Sequence, residues 1–177
     1  MEYLNKKGNN GMRYAQYWID KLELSPHIEG GYFKETYRSI ENIDKHALPE
    51  RFSDDRSFCT AIHFLLHNDD FSAFHRIKQD ELWHFYIGDP LVVHIIDRER
   101  NYSQIKLGKN LDDGEVFQAV VPHDSWFGAN LQVPDSFALV GCTVAPGFDF
   151  DDLEIAKRDV LVNLFPEHRQ IIEQLTR

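Results

Sequence analysis

The sequence predicts an all-β protein, a sandwich or barrel, with one helix before the strands and a helical hairpin behind them. Short runs rich in Val, Ile, Phe, Tyr and Trp recur at roughly ten-residue spacing with turn signals between them. After Pro146-Gly147 the apolar period lengthens to that of a helix. Before the strands, Tyr14, Trp18 and Leu22 recur at i, i+4, i+8 within Arg13 to Leu24, which reads as one amphipathic helix.

Each element has its own justification. Residues 1–12 read as a flexible lead-in to a single domain over 13–177. Ser25-Pro26 ends the first helix, because the residue before proline is pushed out of the helical region. Gly30-Gly31 then predicts a turn or bulge before a strand in which Tyr32, Lys34, Thr36 and Arg38 share one face and Phe33, Glu35 and Tyr37 the other. Glu41 to Asp55 is polar, contains Pro49, and is expected as a surface loop. Phe58 to Leu66 is a buried strand. Phe71 to Ile96 reads as two strands joined tightly at Gly88-Asp89-Pro90. Val116 to Val121, Trp126 to Leu131 and Phe137 to Ala145 complete the β pattern. Asp151, with Glu154 three residues on, resembles a capping box opening a helix through Leu164, and Pro166 suits the first turn of a second.

Bulk properties narrow the function. A net charge of -10 argues against nucleic acid as partner, since phosphate recognition needs a basic footprint. No apolar run approaches membrane-spanning length, and the N-terminus lacks the apolar core of a signal peptide. A cytoplasmic protein with no membrane partner is the expectation. Cys59 and Cys142 sit in apolar runs and read as small buried hydrophobes.

The stretch Phe71 to Ile96 carries the chemistry. It sets His75, Asp80, Glu81 and His84 among Trp83, Phe85, Tyr86 and Ile87. Alternation puts Glu81 on one face with Trp83 and Phe85. A carboxylate there is poorly hydrated and needs a partner or a raised pKa. The candidate catalytic residues are therefore His75 as general base, Glu81 to tune it, and Tyr37 as an opposing acid. The candidate ligand-binding residues are Glu29, Tyr32, Lys34, Glu35 and Arg38, with Trp83, Phe85 and Trp126 as aromatic walls. Arg38 or Lys34 would hold an anionic part of the ligand.

His75-x-Ile77-x-x-x-Glu81, followed by Gly88, resembles the first motif of the cupin superfamily. That motif has two His one residue apart, then a Glu, which usually bind a metal with a third His from a second motif. Here Ile77 stands at the second His. Gly114…Pro122-x-Asp124-x-Trp126-Phe127…Asn130 resembles the second motif, with Phe127 at its ligand position, or Trp126 after a one-residue shift, neither of which binds a metal. Two of four usual ligands are missing, so no metal and no other cofactor is expected.

A closer match covers about Trp18 to Leu175. His27-x-Glu29-Gly30-Gly31-Tyr32-Phe33-x-Glu35-Thr36-Tyr37-Arg38-Ser39, Thr60-Ala61-Ile62, Asp80-Glu81-x-Trp83-His84-Phe85-Tyr86-x-Gly88 and Val144-Ala145-Pro146-Gly147-Phe148-Asp149-Phe150 are similar to the Cupin-5 family. This is a domain of unknown function on the fold of the dTDP-sugar epimerases. Ile28 departs from it, standing where proline is expected. The resemblance implies a double-stranded β-helix (a jelly-roll barrel), commonly a homodimer, with a pocket inside. The resulting expectation is a small polar or ring-containing ligand (a sugar, nucleotide-like molecule or carboxylate) and a metal-independent isomerase or epimerase. A non-catalytic binding module and a metal-dependent oxygenase or lyase are the alternatives.

Overall fold

The computed structural model describes residues 10–177, with side chains from residue 14 onward. Helix α1 (Asn10–Leu22) leads into β1 (Ser25–Pro26), β2 (Tyr32–Arg38), β3 (Asn42–Ile43), β4 (Arg56–Ser57) and β5 (Thr60–His67). Next come β6 (Phe71–Arg76), β7 (Asp80–Gly88), β8 (Leu91–Ile96), β9 (Tyr102–Leu107) and β10 (Gln118–Val121). The chain ends with β11 (Trp126–Leu131), β12 (Phe137–Ala145), β13 (Glu154–Ile155), α2 (Arg158–Leu164) and α3 (Arg169–Gln174).

The strands build two facing antiparallel sheets, ordered β1-β2-β5-β12-β7-β10 and β13-β6-β11-β8-β9, with β3 and β4 as a separate short pair. Alternation sorts each strand's residues between core and outer face. Phe64, Leu66, Trp83, Val93, Ile95, Phe127 and Val140 meet between the sheets. The second sheet's outer face carries Phe74, Ile96 and Trp126, covered by Leu161, Phe165 and Ile172 of the C-terminal segment. Ala15 and Ile19 of α1 cover Leu65, Phe137 and Leu139 on the first sheet. Each large apolar side chain so buried contributes about 1.5–3 kcal/mol. Among the described residues no helix is long and apolar enough to cross a membrane.

Several expectations need correction. Residues 71–96 form three strands, and β7 and β8 are not a hairpin: β7 pairs with β10 and β12, β8 with β9 and β11. The Gly88 turn, at φ +114°, carries the chain from one sheet to the other. The helix expected from Asp151 begins only at Arg158, because Glu154-Ile155 pairs with Arg76 and His75 as an edge strand. The loop from Glu41 to Asp55 contains β3 and a 3-10 turn at Lys45–Ala47, and Phe52 within it is buried. Of the lead-in expected over residues 1–12, only 10–12 are described, and they belong to α1.

Candidate functional site

A backbone turn builds the site. His27 N donates to Gly31 O and Gly30 N to His27 O, closing the loop between β1 and β2. Gly30 has φ +112°, and a Cβ there would lie 2.2 Å from the Phe71 carbonyl. Glycine is therefore required, and the close approach lays Glu29 against β6. The Glu29 carbonyl accepts from Ala73 N (2.8 Å) and from Arg177 Nη1 (2.6 Å).

A bulge in β6 supplies Glu29's partners. Opposite β11, His75 pairs with Phe127 and Ser72 with Ala129, so three residue steps on β6 face two on its neighbour. Ser72 and His75 therefore both face inward. Ser72 Oγ donates to Glu29 Oε1 at 3.1 Å, and His75 Nε2 lies 2.9 Å from Glu29 Oε2. His75 Nδ1 lies 2.8 Å from the Ala73 carbonyl.

Both His75 nitrogens thus face oxygen acceptors, an arrangement that suits a doubly protonated imidazolium against an ionised Glu29. Burial disfavours that charge, but Glu29's charge and hydrogen bond, with Glu81's charge behind them, outweigh it and raise the His75 pKa. Burial likewise opposes the Glu29 charge, yet His75, His27 and Ser72 hold its carboxyl below the usual value.

Glu81 has a different setting. It sits on β7, 8% exposed, and burial pushes its pKa up to about 7; His75 and a hydrogen bond with the Cys142 thiol pull it down, and the Glu29 charge adds to the rise. Burial and the facing carboxylate push the Cys142 thiol well up, so it is neutral and unreactive. His27, at the same turn, is shifted down chiefly by burial.

These groups line a cavity of about 70 Å³ whose wall also includes Glu35, Arg38, Phe148 and Phe150. Arg38 reaches Glu35 side-on through Nε (3.1 Å) and Nη2 (2.7 Å), and donates from Nη1 to the Phe148 carbonyl (3.1 Å). A hub beneath fixes this wall. Asp152, buried, accepts from Arg56 (2.7 and 2.6 Å), Gln79 (2.6 Å) and Lys78 (3.1 Å).

Of the candidate residues, the structure brings Glu29, Glu35, Arg38, His75 and Glu81 together at this cavity. It does not bring the others there. A bulge at Thr36 shifts the register of β2 so that Phe33, Glu35 and Arg38 share the inner face. Tyr37 therefore lies on the outer face, 54% exposed. Tyr32 packs beside α1 and His67, and Lys34 pairs with Glu23 at 2.5 Å. Trp83 is buried edge-on to Phe64 and Phe127 in the core. Phe85 packs against the same core and borders an open outer depression with His84 and Tyr86. Trp126 sits on the far side of the second sheet under the Arg76 guanidinium. The aromatic walls are instead Phe33, Phe148 and Phe150. His27, Thr60 and Cys142 also line the cavity without having been singled out, although they fall within or beside the family-like blocks.

The side chains do not fit a cupin metal. His75 Nε2 is engaged by Glu29, Ile77 is an apolar part of the cavity wall, and the Phe127 ring packs 4.0 Å from that of His75. Among the described residues no group of three or more His, Cys, Asp or Glu side chains has a geometry that could hold a metal ion.

The sequence pattern of the family described as Cupin superfamily (DUF985) matches residues 16–156. The solved structure of protein SO0799 from Shewanella oneidensis is 36% identical, with a TM-score of 0.83 over 92% of this chain and 97% of that one. A hypothetical protein from Leishmania major is 34% identical, with a TM-score of 0.82 over 92% and 98%. The uncharacterized protein YML079W of Saccharomyces cerevisiae is 30% identical over 77% of this chain and 72% of its own. The chain belongs to the cupin superfamily, in the DUF985 family.

Proposed function

We propose that this cupin binds a small molecule in the barrel cavity and moves a proton on it without a metal, as an isomerase, with Glu81 carrying the proton. The observation behind this reading is the division of labour between two carboxylates. Both Glu29 oxygens are engaged, by His75 and Ser72, whereas Glu81 has, among the described residues, the Cys142 thiol as its hydrogen-bond partner and faces the cavity. An imidazolium has no lone pair, so His75 acts as a fixed positive charge and the role of base passes to Glu81. A carboxyl that titrates near neutrality both takes and returns a proton efficiently. One such group suffices to move a proton between adjacent carbons of a 2-hydroxy carbonyl compound on one face, with the hydroxyl proton passing to the former carbonyl oxygen in the enediol. Inversion at a carbon needs a second group opposite, and Tyr37 lies on the outer face, which favours an isomerase over an epimerase.

The test is proton exchange in D2O, followed by NMR, for small carbonyl compounds that bind the protein. Deuterium should enter at the carbon next to the carbonyl with wild-type protein and not with Glu81→Gln. Binding without exchange would remove the catalytic reading and leave a binding module. A homodimer is part of the same proposal, supported by the exposed Tyr37, Leu82, Tyr86 and Val120 on the first sheet's outer face. Light scattering of the intact protein tests it, and a monomer refutes it.

A further inference from the structure

We infer that the ligand is a small monocarboxylate whose carboxylate docks on the free edge of Arg38 while its carbon skeleton runs over Thr60 and Val144 towards Glu81. This rests on the cavity reading above and adds the class of molecule. The strand register sets the line. Arg38 pairs with Thr60, Thr60 with Val144, and Val144 with Glu81. The four side chains form one row across β2, β5, β12 and β7, and all four line the cavity. A cation therefore stands at one end of the row and a proton-carrying carboxyl at the other, with a hydroxyl and a branched apolar side chain between.

Arg38 is held and still has capacity. Nε, Nη2 and Nη1 each make one contact, to Glu35 twice and to the Phe148 carbonyl once. A guanidinium carries five N–H donors, so two remain among the described contacts, one on each terminal nitrogen. A carboxylate takes such a pair side by side. Glu35 orients the fork without using its end. Thr60 Oγ1 accepts from Phe148 N at 3.0 Å, which leaves its hydroxyl hydrogen for the same anion.

Charge and size agree. Glu29 is matched by His75 and Glu35 by Arg38, so the lining is balanced when Glu81 keeps its proton. A monoanion is then tolerated, whereas a second negative charge would meet Glu81, Glu29 and Glu35 together. The cavity of about 70 Å³ holds roughly five water-sized positions. A three- to five-carbon acid fills that space, and a nucleotide-linked sugar does not. Ile62, Val144 and Phe148 suit the carbon chain rather than a polyol.

The experiment is calorimetric titration of the intact protein with a panel of three- to five-carbon 2-oxo and 2-hydroxy acids, their methyl esters, and a dTDP-sugar. At least one acid should bind, with its ester weaker by about tenfold or more. Arg38→Met and Arg38→Lys should each weaken the acid by about tenfold while leaving the ester unchanged, and Glu81→Gln should retain affinity for the acid. An ester that binds as well as its acid, a dTDP-sugar that binds in preference, or no acid bound with a Kd below about 10 mM would overturn the inference. The ester comparison uses wild-type protein and survives any folding defect in a variant. Acid binding without deuterium exchange would sink the proton-transfer proposal and leave this one standing. Exchange on neutral carbonyl compounds alone would do the reverse.

Discussion

Replacing Glu81 with Gln should make the protein more stable at alkaline pH and nearly unchanged in mild acid. In the unfolded chain this carboxyl titrates near 4.5, the ordinary value for a glutamate, and in the folded protein burial raises it to about 7. Between those values the folded state holds a proton that the unfolded state has released, so stability falls as pH rises. Above pH 7 the folded state carries a buried carboxylate whose hydrogen-bond partner, among the described residues, is the Cys142 thiol. The gap between the two values corresponds to roughly 3 kcal/mol, fully absent below pH 4 and fully present above pH 8. Glutamine keeps the shape and can accept from the same thiol, but carries no charge. Urea unfolding of both proteins at pH 5 and pH 8.5 isolates the effect, because titrations elsewhere are largely common to the two. The difference in stability should move by about 2–3 kcal/mol in favour of the variant between those conditions. An offset that does not change with pH, or a variant that is less stable at pH 8.5, would refute a buried Glu81 that titrates near neutrality. It would also remove the physical basis for proton transfer.

Glu29→Gln should lower the His75 pKa, giving a neutral ring at pH 7 in histidine-selective NMR, at a cost of about 3 kcal/mol in stability for a broken buried pair. An imidazole still charged at pH 7 would contradict the pairing. Asp152→Ala should cost about 3–5 kcal/mol by denaturant unfolding, since it strands the buried Arg56 guanidinium. Adding Arg56→Met should recover part of that loss, and strictly additive losses would argue against the hub. Gly30→Ala forces a side chain into a positive φ and onto the Phe71 carbonyl. It should lose at least ~2 kcal/mol, measured as a lower melting temperature, and an unchanged melting point would contradict the close approach.

The β pattern was legible because its signals are local: alternating apolar residues and turn-forming Gly, Pro and Asp. Side-chain faces were legible only where the alternation runs unbroken. Glu81 and Trp83 were placed correctly on one inner face, because β7 is regular between them. Tyr37 and Arg38 were exchanged, because a single extra residue at Thr36 reverses every face beyond it. The same device in β6 turns Ser72 and His75 to one side, and composition does not announce it. Nor did the sequence pair His75 with Glu29. It offered Glu81, six residues on, as the natural partner, but the closer contact comes from a distant turn that two glycines press against β6. The false capping box at Asp151 fails for a tertiary reason. Glu154 and Ile155 gain more by completing the edge of the second sheet than by joining a helix.

The Glu29–His75 pairing also connects the poor fit for a metal to the proposed chemistry. In the cupin motif as it reads in this sequence, His75 and Glu81 occupy two ligand positions, and a metal between them would hold Glu81 ionised. Here Glu29 takes the imidazole nitrogen that would face the metal, and Ile77 and Phe127 fill the neighbouring positions with hydrocarbon. The positive charge beside Glu81 is that of His75, and Glu29 already neutralises most of it, while Arg38 stands at the other end of the cavity paired with Glu35. Glu81 therefore remains buried with too little cationic support to stay ionised, which is why burial dominates its titration. Under the proposed function, a carboxylate–imidazolium pair in place of a metal makes Glu81 an acid–base group rather than a ligand. On this argument the side chains that exclude the metal are the same ones that set Glu81 near neutrality.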